Sequence, residues 1–109
     1  MTFQTALHSV VSGNDLTEEE MVYAMTLIME GNVSDSLLAA FLTALHIKGE
    51  TVAEIRGAAR VMRAKAEKLD IKATPLVDTC GTGGDGADTF NISTASALVT
   101  AGAGVHVAK

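Results

Sequence analysis

Between the apolar pair at 76–77 and a run of small residues lies "DTCGTGGDGADTFNIST", residues 78–94, with glycine at 81, 83, 84 and 86 and aspartate at 78, 85 and 88. Glycine at this density weakens both helix and strand interiors, so the stretch is a loop whose two ends must be held by ordered elements. Upstream, Pro75 disfavours continuing a helix, and "LVDTC" reads as a short buried strand running into the loop. Downstream, "STASALVTAGAG" reads as a small-residue helix with Ser93 or Thr94 near its cap and Gly102 or Gly104 at its close, and "VHVAK" as a second strand. Strand, loop, helix and strand form one right-handed crossover unit, whose parallel strands are expected to lie buried with helices on both faces. Two strands alone leave open edges and bare faces, and the sequence stops at Lys109 with no turn, cap or polar tail. The expectation is a truncated α/β domain.

The preceding residues follow a different period. In "LTEEEMVYAMTLIMEG", Thr17 is placed to cap a helix with Glu20 as capping-box partner, Leu16 and Met21 as hydrophobic staple, and Gly31 as the left-handed stop. Met21, Ala24, Met25, Ile28 and Met29 fall at helical spacing and are expected in the core. "VSDSLLAAFLTALHIKG" repeats the pattern, with Ser34 as cap, Val33 and Leu38 as staple and Gly49 as stop. Its body, residues 37–47, is apolar nearly all round and expects cover on most sides from its own domain or another subunit. "TVAEIRGAARVMRAKAEKL" opens with Thr51 and Glu54 as a second capping box and is expected to turn Val52, Ile55, Ala59, Met62, Ala66 and Leu69 inward. With a shorter amphipathic piece at Phe3, Leu7, Val10 and Val11 ahead of Gly13, residues 1–72 read as a domain of four helices and residues 73–109 as the incomplete α/β part.

Composition excludes several classes. Among 109 residues, 48% hydrophobic and 19% charged suit a globular domain with one modest core, and no apolar run approaches the ~18 residues that a membrane span needs. The N-terminus has no basic region followed by an apolar block, so a cytoplasmic protein without a secretory signal is expected. A net charge of −5 disfavours a large nucleic-acid surface. Arg56, Arg60, Arg63, Lys65, Lys68 and Lys72 cluster on or just after the last of the four helices, which reads as a solvated face near the negative end of the dipole. The lone Cys80 reads as a small buried apolar residue, and His8, His46 and His106, isolated along the chain, as structural.

The loop can be compared with known phosphate cradles. Gly81, Gly83 and Gly86 satisfy G-x-G-x-x-G after a strand, but the helix begins only near Ser93, and the end of the next strand offers Val107, Ala108 and Lys109 where a ribose-binding acid is wanted. The P-loop pattern fails because Ala87 and Asp88 stand where Lys and Ser or Thr belong. What remains is a backbone open to phosphate oxygens, followed by Thr89, Asn91, Ser93 and Thr94 as donors leading into a helix N-terminus. Asp85 and Asp88 suit sugar hydroxyls or a divalent cation better than phosphate itself. Sugar, diphosphate and Mg²⁺ fit together.

"VDTCGTGGDGADTFNISTASA" closely resembles the signature of the anthranilate phosphoribosyltransferase family, and the resemblance runs through the capped helices before it and "GVHVAK" after it, covering that family's first third. It implies a small helical domain followed by the start of a larger α/β domain of the nucleoside phosphorylase and phosphoribosyltransferase type. It further implies transfer of phosphoribose from 5-phosphoribosyl 1-diphosphate, held with Mg²⁺, to anthranilate in tryptophan biosynthesis, giving N-(5-phosphoribosyl)anthranilate and diphosphate. Carried over, Gly81, Gly84 and Asp85 would contact the phosphoribosyl diphosphate, with Gly81 also near anthranilate. Thr89, Asn91, Ile92, Ser93 and Thr94 would continue the sugar-phosphate site, Ser93 would ligate Mg²⁺, and Lys109 would contact a phosphate. These are binding roles, since displacement at the anomeric carbon through an oxocarbenium-like transition state requires no covalent nucleophile. A homodimer through the helical domain is also implied. The family's downstream arginine and acidic pair do not occur in these residues, so the piece alone is expected to be inactive.

Two alternatives remain beside this one. Pyrimidine nucleoside phosphorylases look similar in architecture, but their loop carries a lysine and a serine before the glycines, where this chain has Asp78 and Cys80. The other is a noncatalytic relative or helical oligomerisation module with a vestigial loop.

Overall fold

The computed structural model describes residues 1–81, 83 and 90–109. The chain divides into two compact units, Met1–Lys68 and Leu69–Lys109. The first holds α1 (Phe3–Val11), α2 (Glu18–Met29), α3 (Asp35–Lys48) and α4 (Val52–Lys65); the second holds β1 (Leu76–Val77), α5 (Ile92–Gly102) and β2 (His106–Val107). A helical bundle followed by the beginning of an α/β arrangement is the fold class expected from the sequence.

The helix starts follow from short-range chemistry. Thr17 and Glu20 form the expected capping box, with Leu16 and Met21 both buried as its staple. Ser34 accepts from the Leu37 amide, and Thr51 and Glu54 form the second box. A third box, Thr2 with Thr5, starts α1 and was not foreseen, because a threonine at the fourth position replaces the customary Glu or Gln. Gly13, Gly31 and Gly49 take positive φ after α1, α2 and α3. The core joins Phe3, Ala6 and Val10 of α1, Leu16, Met21 and Ala24 at and in α2, and Phe41 and Leu45 of α3, with the Phe3 and Phe41 rings 5.2 Å apart.

Two apolar faces differ from expectation. In α4, Val52, Ile55 and Met62 are exposed, as is Leu69 beyond it, and the buried residues are Glu54, Gly57 and Val61. The close crossing with α2 selects the small residue: a Cβ on Gly57 would lie 2.6 Å from the Glu18 carbonyl oxygen and 3.0 Å from Met21 Cβ. The helix stops at Lys65, with Ala66 extended, short of Leu69. In α2, Met29 is exposed, while Met25 and Ile28 pack against the core. The body of α3 buries Phe41 and Leu45 but leaves Leu42 and Ile47 exposed, the latter by 80%, so its own domain does not supply the cover its composition asks for.

A buried polar cluster joins α2, α3 and α4. Glu54, fully buried, accepts from the Leu16 amide at 2.8 Å, the Thr51 amide at 2.8 Å and Lys48 Nζ at 3.0 Å. Lys48 ends α3, where a cation suits the dipole, and also donates to Asp15 at 2.8 Å and the Gly49 carbonyl at 2.8 Å. Burial raises the Glu54 pKa, but the three hydrogen bonds and the Lys48 charge outweigh it and hold the carboxyl below its ordinary range. Burial likewise lowers Lys48, and its bonds to Asp15 and Glu54 overcome that and raise it. The basic face of α4 is exposed as expected, and part of it is ion-paired at the surface: Arg60 and Arg56 donate to Glu18 at 2.7 and 3.3 Å and Lys65 to Glu30 at 2.9 Å. The Arg60 hydrogen bond is the main reason that Glu18 titrates low.

Candidate functional site at the glycine loop

The loop between β1 and α5 is tied at both ends. β1 and β2 pair in parallel, Leu76 opposite His106 and Val77 opposite Val107, and the Ala108 amide donates to the Val77 carbonyl at 3.0 Å. This register places the residue after Ala108, Lys109, beyond the end of β2 on the side where β1 enters the loop. At that entry, Asp78 folds the chain over itself: its Oδ1 accepts from the Cys80 amide at 2.8 Å, an Asx-type turn. Gly83 takes φ +70, the left-handed region open to glycine. A Cβ built on Gly81 would meet nothing within 4 Å, so among the described residues no packing demands its glycine.

At the exit, the cap of α5 is Asn91 rather than Ser93 or Thr94. Its Oδ1 accepts from the Thr94 amide at 3.1 Å and from Ser93 Oγ at 3.2 Å, while its own backbone is non-helical. The short amide reaches the third helical position, which moves Ser93 and Thr94 into the first turn. Lys109 Nζ then donates to Thr94 Oγ1 at 2.6 Å, and Thr79 Oγ1 donates to the Ser93 carbonyl at 2.9 Å.

Of the residues assigned by resemblance, Asn91, Ser93, Thr94 and Lys109 are brought together here. Ile92 stands at the first position of α5 with half its surface exposed. Gly81 lies at the loop entry, and Gly84, Asp85 and Thr89 lie outside the described residues. Asp78 and Thr79 were missed as site-shaping residues, since their partners are set by the fold. Cys80 is exposed, not buried as expected, because the unit of residues 69–109 has no buried residue among those described and offers no core to receive it. His8, His46 and His106 are exposed.

The electrostatics are one-sided. A helix N-terminus carries about half a positive charge, and the Lys109 ammonium sits against its first turn. A cation there is disfavoured by the dipole, so the arrangement is matched to an anion that would neutralise both. Ser93 Oγ gives its proton to Asn91, which leaves its oxygen lone pairs for a hard cation. Among the described residues no group of three or more His, Cys, Asp or Glu side chains is gathered for a metal.

Comparison with known families bears on the same segments. Residues 4–66 match the helical bundle domain of a glycosyl transferase family, and residues 73–109 match the α/β domain of that family. The chain belongs to this glycosyl transferase family. Curated relatives named anthranilate phosphoribosyltransferase include that of Teredinibacter turnerae, 55% identical over the whole chain and 32% of the relative. Those of Pelotomaculum thermopropionicum and Symbiobacterium thermophilum are 59% and 60% identical, covering 97% and 94% of this chain and 31% and 30% of each relative. The chain thus spans about a third of the length of the curated relatives it matches. No helix among the described residues is long and apolar enough to cross a membrane.

Proposed function

We propose that this glycosyl transferase chain carries the phosphoribosyl-diphosphate-binding part of an anthranilate phosphoribosyltransferase, an enzyme of tryptophan biosynthesis acting in the cytoplasm. The observation that carries the reading is Lys109 Nζ at 2.6 Å from Thr94 Oγ1 on the Asn91-capped first turn of α5. It supplies an ammonium, a hydroxyl and a helix N-terminus converging at the exit of a glycine loop, the donor set that a diphosphate needs. The relatives' shared name supports the acceptor, anthranilate.

In this reading the loop and the α5 turn bind and orient the donor substrate so that the anthranilate amine meets the anomeric carbon in line with the departing diphosphate. The amine nitrogen forms the new bond, the anomeric C–O bond breaks with its electron pair leaving on diphosphate, and the amine loses a proton. Lys109 and the α5 amides stabilise the charge that collects on the leaving group. Ser93 is the residue among those described that would hold Mg²⁺, which when bound neutralises the diphosphate and improves it as a leaving group. Gly84, Asp85 and Thr89 belong to the same proposed site by resemblance, Gly81 to its anthranilate side.

A homodimer through the helical domain accompanies this reading. Its support is the apolar groove of α1 and α3 lined by Val10, Val11, Ala39, Ala40, Thr43 and Ile47, with Val11 and Ile47 largely exposed in the single chain. The binding reading is tested by titrating the complete polypeptide that carries these residues with phosphoribosyl diphosphate, with and without Mg²⁺, by calorimetry. Saturable Mg²⁺-dependent binding that weakens at least tenfold in Lys109→Met supports it. Binding unaffected by that substitution, or none in the parent, refutes it. Light scattering at micromolar concentration tests the dimer, and a monomer overturns it.

A further inference from the structure

We infer that Thr79 is a positioning residue of the phosphoribosyl-diphosphate site, its hydroxyl clamping the first turn of α5 against the end of β1; this rests on the reading of the site proposed above. Thr79 Oγ1 donates to the Ser93 carbonyl at 2.9 Å, a part-buried contact between residues 14 apart that spans the whole glycine loop. The residue directly before it, Asp78, accepts from the Cys80 amide in its Asx-type turn, so the Thr79 backbone is held from one side while its side chain holds the other end of the loop. The Ser93 carbonyl already faces the helical amide four residues on, that of Ala97, and its second lone pair takes the Thr79 proton.

The consequence is geometric. Asn91 caps the first turn of α5, and Ser93 and Thr94 stand in it, so their placement depends on where that turn is held. The β1–β2 pairing and the Lys109–Thr94 bond anchor the far strand, and among the described residues the Thr79 side chain ties the loop entry to that turn. Closing a long, glycine-rich loop is entropically unfavourable, and a bond joining its two ends removes part of that cost before the substrate arrives. A valine at this position keeps the shape and the β-branch but has no proton to give.

The test uses Thr79→Val and Thr79→Ser in the complete polypeptide. Thr79→Val is expected to raise KM and Kd for phosphoribosyl diphosphate by about three- to tenfold, the worth of one hydrogen bond, with kcat within about twofold. Thr79→Ser is expected to restore the parent values. A merely structural role would lower the active fraction, and so kcat, without moving KM. Independently of substrate, amide exchange at residues 94–97 should quicken in Thr79→Val and not in Thr79→Ser. An unchanged KM and Kd in Thr79→Val, or a serine variant as impaired as the valine one, overturns the inference. If the parent binds no phosphoribosyl diphosphate, the proposed function falls, and unchanged exchange at 94–97 would then also overturn the clamp.

Discussion

Replacing Glu54 with glutamine removes one charge and almost no volume from the centre of the helical unit. Glu54 Oε1 accepts from the Leu16 amide, while Oε2 accepts from the Thr51 amide and Lys48. Whichever way the glutamine amide turns, its NH₂ faces at least one backbone N–H, which is left buried and unsatisfied at a cost of about 1–3 kcal/mol. The Lys48 ion pair is also lost, although Asp15 and Gly49 still receive the ammonium. Breaking a buried pair by removing one partner costs about 3–5 kcal/mol, and the surviving Lys48 partners place the expected total near the low end, about 3 kcal/mol. For a helical unit of this size that is a fall in Tm of about 12–24 °C. Urea unfolding of the chain, followed by helical circular dichroism at pH 7, measures it. Because Glu54 titrates lower folded than unfolded, the parent's advantage is complete above the ordinary value of 4.5 and is lost as pH falls through the folded value. The gap between parent and Glu54→Gln should therefore close in acid. A gap below about 0.5 kcal/mol at neutral pH, within the range of a surface change, or a gap independent of pH, would show that Glu54 does not stabilise the unit as an ion.

Gly57→Ala should destabilise by about 1–2 kcal/mol in the same urea assay, since the clash with the Glu18 carbonyl outweighs the helix propensity gained; a stabilised variant would show that α2 and α4 can separate freely. Lys48→Met should cost about 3 kcal/mol at pH 7, the low end for a broken buried pair because two backbone amides still hold Glu54. The folded pKa of Lys48 is raised, so its contribution is full below 10.5 and lost as pH rises through the folded value, and the gap should close in alkali when stability is followed against pH. Hydrogen exchange on the 109-residue chain should be slow in the buried turns of α1 to α4 and fast in β1, α5 and β2, where no described residue is buried. Strong protection there in a monomer would contradict this.

The helix starts were legible because capping is a three-residue affair: Thr17 with Glu20, Ser34 with Leu37, Thr51 with Glu54. The buried face of α4 was not, because period counting sends large apolar residues inward, whereas the crossing with α2 admits Gly57 and buries Glu54. The capping partner Glu54 was recognised locally, but its bonds to Leu16 and Lys48 depend on three helix ends meeting. In the second unit the strand–loop–helix–strand order and parallel pairing could be read from the change of period at Pro75. The bonds that shape the site, Thr79 to Ser93 and Lys109 to Thr94, join residues 14 and 15 apart and leave no spacing signal. Resemblance named Lys109 and Ser93, while physics alone would have left them as a lysine at a strand end and a serine in a helix cap.

The proposed phosphoribosyl transfer to anthranilate has a direct assay. The complete polypeptide, supplied with phosphoribosyl diphosphate, Mg²⁺ and anthranilate, should consume anthranilate fluorescence and release one diphosphate per anthranilate, with the rate at limiting phosphoribosyl diphosphate reduced at least tenfold in Lys109→Met. No transfer under these conditions, or phosphorolysis of pyrimidine nucleosides in its place, would contradict the account.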